Sequence, residues 1–83
     1  MVMVANRPYR KTNPRTIRGA RRKGWYVVSV PDNIMEKFNT SWMGLEMWAV
    51  HKTKGNFVTS FMLREFAFEK TEDASWFTMK WCI

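Results

Sequence analysis

The sequence predicts an α+β domain: a small antiparallel sheet of three to four strands with two helices packed on one face, preceded by an extended basic N-terminal arm. Three observations predict it. Trp25 to Val30 is a run of aromatic and β-branched residues. Two later stretches alternate in part between apolar and polar side chains, and two segments repeat apolar residues at helical spacing. In front of these elements stand eight basic residues (Arg7, Arg10, Lys11, Arg15, Arg18, Arg21, Arg22 and Lys23) with no acidic one among them.

The arm covers residues 1–23 and the folded body residues 24–83. From Asn6 to Lys23 the apolar residues have no period, Pro8 and Pro14 interrupt regular structure, and only Tyr9, Ile17 and Ala20 break the polar run. Such a segment reads as extended and flexible when free. A short helix from Thr16 to Arg22 on binding is compatible with the residues, although Gly19 lowers its stability. Gly24 separates arm from body.

The body opens with the strand over Trp25 to Val30, and Pro31 ends it. Asn33 followed by Glu36 resembles a capping box, and Ile34, Phe38 and Trp42 share one face of the helix it would start. Gly44 is a natural stop for that helix. Leu45 to Lys52 and Asn56 to Leu63 read as the strands of a hairpin, because Thr53, Lys54, Gly55 and Asn56 have turn chemistry. Arg64 and Glu65 break the alternation, and Phe66 and Phe68 resume it as a last short strand or a bulged continuation. The chain closes on a helix: Thr71 can cap it, Glu72 and Asp73 complement its positive end, and Ala74, Phe77 and Trp81 form its core face. Trp76 and Met79 project to another side and form an apolar strip suited to a protein interface.

Eighty-three residues allow one domain, with a core near the lower size limit for independent folding. Five Trp, six Phe and two Tyr compensate with large side chains. They exceed what so small a core hides, so some of them are expected to face solvent, a second copy of the chain or a ligand. A single thiol, Cys82, rules out an internal disulfide framework and fits a reducing cytoplasm. No stretch reaches the roughly twenty apolar residues of a membrane span, and Met1 to Ala5 is too short for the apolar region of a signal peptide. The expected location is the cytoplasm, with no membrane contact.

Enzyme chemistry finds little support. His51 is the one histidine and reads as an exposed residue near the hairpin turn, and no motif relates it to Cys82. One His and one Cys do not make a tetrahedral metal site, and no phosphate loop or cofactor motif is present. The expectation is a protein without cofactor or metal that acts by binding.

The arm is the feature with chemistry attached. Six of its eight cations are arginines, whose planar fork grips phosphate in bidentate fashion and stacks on bases. Arg7, Arg10, Lys11, Arg15, Arg18, Arg21, Arg22 and Lys23 are thus the candidate phosphate contacts of a nucleic-acid partner. Neutralising six to eight phosphates would make affinity fall by roughly 10³ to 10⁵ between 50 and 200 mM salt. Tyr9, Trp25, Tyr26 and Trp48 are candidate stacking platforms for unpaired bases. RNA or single strands are favoured over duplex reading, because no recognition helix, zinc finger or basic zipper is present.

The closing stretch from Phe66 to Trp81 combines a Phe-rich strand, the acidic pair Glu72 and Asp73, Ala74, then Phe77 and the basic–Trp pair Lys80 and Trp81. In this it is similar to the ending of many small uncharacterised proteins of tailed bacteriophages. The resemblance covers sixteen residues, mostly core and cap positions, and implies ancestry and fold, with no catalytic or binding residue to carry over. A phage origin implies a small protein that coats RNA or DNA in an infected cell. It is equally compatible with an inhibitor or adaptor that occupies a host enzyme's nucleic-acid surface, for example that of an antiviral ribonuclease, with nucleic acid bridging the two.

Overall fold

Four antiparallel strands in the order β1-β3-β4-β2 carry helices on both faces of the sheet. The computed structural model describes residues 2–4 and 14–82. The chain runs β1 (Val2–Val4), α1 (Ile17–Arg22), β2 (Tyr26–Ser29), α2 (Ile34–Lys37), α3 (Trp42–Lys52), β3 (Phe57–Ser60), β4 (Glu65–Phe68) and α4 (Thr71–Trp81). The expected α+β class with an antiparallel sheet is what the structure has.

The pleat of β4 divides the molecule. Phe66 and Phe68 point to one face and Ala67 to the other, since successive strand side chains alternate. On the Phe face, Phe57, Phe66, Phe68 and Phe77 form a continuous ring cluster, with Phe66 and Phe77 centroids 4.5 Å apart and Phe66 and Phe68 stacked at 5.8 Å. Ile34 of α2, Leu45 and Ala49 of α3 and Ala74 of α4 close over it. Large rings give this small core its apolar area, each burying about 150 to 250 Å². The predicted core face of α4 is confirmed: Ala74, Phe77 and Trp81 are all buried.

Three expectations need correction. The helix read from Ile34 through Trp42 is two helices. Phe38 ends α2 and Asn39, at φ 51°, follows it. Asn39 N–H donates to the Glu36 carbonyl at 3.1 Å and Thr40 N–H to the Met35 carbonyl at 2.8 Å. That pair of bonds is a Schellman motif, and asparagine tolerates its left-handed residue. Asn33 stands at the N-cap of α2 but makes no side-chain capping bond.

Gly44 does not stop a helix; it lies in the first turn of α3, where its N–H donates to the N-cap Ser41 Oγ at 3.2 Å. A Cβ there would run into the Thr40 hydroxyl. The third correction follows: Leu45 to Lys52 is helix, not the first strand of a hairpin. Leu, Glu, Met, Ala and Lys are strong helix formers, and Trp42, Leu45 and Ala49 repeat at i, i+3 and i+7. The hairpin lies one element later, between β3 and β4, with Ser60 paired to Glu65 and residues 61–64 as its turn.

The other face of the sheet is covered by α1. Ile17 and Ala20 are buried against Ala67, with Trp25 and Val27 packed around them. Folded structure therefore begins ahead of Gly24. Gly24, at φ 79°, is the left-handed residue that closes α1: its N–H donates to the Arg21 carbonyl and Trp25 N–H to the Ala20 carbonyl, both at 3.0 Å.

Candidate functional site

Two cationic surfaces emerge, one on each side of the sheet. The first is α1. Thr16 caps it by accepting the Gly19 N–H at 3.0 Å, and Pro14 before it is buried. With successive residues about 100° apart, burying Ile17 and Ala20 turns Arg18 and Arg22 to the opposite, solvent side, and both are exposed. Arg15 and Lys23 are exposed at the two ends of the helix. Arg21 and Arg22 lie in the last turn, where the partial negative charge of the helix end favours cations.

Arg21 pairs with a residue of the sheet. Its Nη2 donates to Glu65 Oε2 at 2.9 Å, tying α1 to β4. The arginine side chain is 57 % exposed, so the pair contributes on the order of 0 to 1 kcal/mol. Arg7, Tyr9, Arg10 and Lys11 lie outside the described residues.

The expected stacking residues separate. Trp25 is half-buried against the Ile17 and Ala20 cluster, which makes it a packing residue of α1. Tyr26 is exposed on β2. Trp48 belongs to α3 rather than to a hairpin, and its ring lies 5.9 Å from Phe77 and 6.2 Å from Trp81.

The second surface holds the Trp76 and Met79 strip expected from the sequence, together with lysines that were not foreseen around it. Trp76, 52 % exposed, stands on the outer side of α4 with its ring 6.5 Å from that of Trp48. It forms a wall of two clefts that also share Lys52: one of about 140 Å³ with Lys54, Lys70, Glu72 and Asp73, and a more open one of about 360 Å³ with Trp48, Met79 and Lys80. Met79 is exposed beside them.

Asp73 explains how lysines so distant in sequence meet. Its buried carboxylate accepts the N–H groups of Lys54, at 3.1 and 3.2 Å, and of Gly55, at 2.8 Å. This draws the loop after α3 against the start of α4. Asp73 is thus a clamp between two elements, beyond the dipole partner its sequence position suggests. A signal of the lysine cluster, Lys52 and Lys54 flanking one turn, is visible in the sequence, but its link to Lys70 and Trp76 needs the Asp73 contact.

His51 is exposed in the last turn of α3. Burial pushes the Cys82 thiol up, which lowers its thiolate fraction at neutral pH. Among the described residues no group of three or more His, Cys, Asp and Glu side chains is placed to hold a metal ion, and no helix is long and apolar enough to cross a membrane.

The chain matches no protein-family model, no curated protein and no solved structure.

Proposed function

We propose that this chain is a small basic nucleic-acid-binding protein that acts by binding rather than catalysis, with RNA or single strands preferred over sequence reading of a duplex. The observation that carries this reading is the outer face of α1, where Arg18 and Arg22 are presented together because Ile17 and Ala20 hold the helix on the sheet. Cations on a docked helix lose less freedom on meeting phosphate than cations on an unconstrained chain. Arginine adds the bidentate geometry that phosphate favours. The helix is six residues long, short of the recognition helices that lie in a major groove. Arginine-rich segments of this kind suit the backbone of RNA.

The test is a titration of a short single-stranded RNA and a matched DNA duplex from 50 to 200 mM salt, with the wild-type chain and an Arg18→Ala, Arg22→Ala variant. Loss of two phosphate contacts is expected to flatten the log–log salt slope on the single strand by about 1.4. An unchanged slope would falsify the role of α1. Arg21 stays wild type because it pairs with Glu65. Deletion up to Gly24 is a poor control, since it uncovers Ala67 and Val27.

A second reading rests on a separate observation. Phe61, Met62 and Leu63 at the β3–β4 turn and Met43 and Met47 on α3 are exposed. Met and aromatic residues are enriched at protein interfaces, which favours an inhibitor or adaptor directed at a host enzyme such as an antiviral ribonuclease. The phage origin implied by the C-terminal resemblance fits that role. The same titration separates the two readings: weak binding that ignores the double substitution leaves the second in place.

A further inference from the structure

We infer that Trp76 is a base-stacking site for single-stranded nucleic acid, with Lys52, Lys70 and Lys80 meeting the flanking phosphates; this rests on the nucleic-acid reading and gives it a second contact. Trp76 is the outermost ring of a series that begins in the core, Phe77 and Trp81 supporting Trp48 and Trp48 supporting Trp76. Half of its surface nevertheless faces solvent. A ring braced from behind and open in front is a platform that loses little freedom when a flat partner arrives.

Its surroundings point to the partner. Lys52, Lys70 and Lys80 are exposed on the rims of the two clefts that Trp76 divides. Two carboxylates are close by. Asp73 is buried and accepts two backbone N–H groups, so its charge is engaged inward, and Glu72 is the acid left at the surface of the smaller cleft. The excess is cationic. An acidic peptide would use the lysines and leave the indole face idle, whereas a nucleotide uses both, its base on the ring and its phosphates on the ammonium groups.

The experiment compares a single strand of about twelve thymidylates with an abasic strand of equal length and charge. Wild-type protein is expected to prefer the base-bearing strand by roughly 5- to 150-fold per stacked base. Trp76→Ala should remove that preference while leaving affinity for the abasic strand unchanged, and Trp76→Phe should restore part of it. Equal wild-type affinity for the two strands, each salt-sensitive, overturns the stacking site and leaves the nucleic-acid reading standing. Absence of salt-sensitive binding to either strand overturns both. A loss in Trp76→Ala that is as large for polyglutamate as for thymidylate assigns the cleft to acidic peptide and also overturns it. A second measurement needs no variant: a strand carrying 5-bromouracil, irradiated on wild-type protein, should form its adduct at Trp76, and adducts confined to other residues count against the site.

Discussion

Trp42 and Trp81 are both nearly buried, yet their indole N–H groups have opposite surroundings. Trp42 Nε1 donates to Thr59 Oγ1 at 3.0 Å and to Glu46 Oε2 at 3.1 Å, inside the core. Trp81 Nε1 is buried with no hydrogen-bond partner among the described residues. Replacement by Phe removes the same atoms in each case, but Trp42→Phe also strips a donor from the buried Glu46 carboxylate, whereas Trp81→Phe removes a donor that was unsatisfied. Leaving a buried charged acceptor without its donor costs about 1.5 to 3 kcal/mol. Trp42→Phe should therefore destabilise by about 2 kcal/mol more than Trp81→Phe in urea melts. Equal losses would mean that the Trp42 bonds contribute nothing net. At this scale the sequence was informative about which residues are buried: Ala74, Phe77 and Trp81 follow from spacing alone. It was silent on polar partners, because Trp42 with Thr59 and Asp73 with Gly55 meet only after the elements have packed.

Helix ends decide where the elements lie, and the two Schellman motifs make the case. Asn39 divides what apolar spacing presents as one helix, because Ile34, Phe38 and Trp42 keep their period across the break; asparagine was a local signal that the period outweighed. Leu45 to Lys52 shows the opposite: its partial alternation resembles a strand, while helix-forming residues and the Ser41 cap make it a helix. At α1 the charge pattern hid two buried residues, Ile17 and Ala20, which in so short a helix provide too little periodicity to be noticed. Its closing glycine offers a clean test. A Cβ at Gly24 meets nothing within 4 Å, so Gly24→Ala isolates the cost of the positive φ. That cost is about 1 to 2 kcal/mol. Denaturation should register it, with Gly24→Asn losing less because asparagine tolerates the left-handed region. A Gly24→Ala protein as stable as wild type would mean that α1 does not end in this conformation.

For the whole molecule, the consequence of the fold is that its two cationic surfaces face away from each other, α1 on the Ala67 side of the sheet and the Trp76 clefts on the Phe66 side. One strand engages both only by passing round an edge. Four stacked nucleotides span about 14 Å at about 3.4 Å each, less than the shortest dimension of the molecule, 19 Å. Sixteen span about 54 Å and reach round it. If both surfaces serve one strand, affinity for oligouridylates should climb between these lengths by more than the number of overlapping registers explains, because the second contact becomes intramolecular. The Arg18→Ala, Arg22→Ala variant should lose that climb, while a four-residue strand should keep whatever share of its affinity comes from Trp76. A wild-type affinity that grows only in proportion to length would mean that the two faces hold separate strands. The protein would then join two nucleic-acid segments instead of wrapping one, and titration would find two short strands per molecule with no gain from linking them.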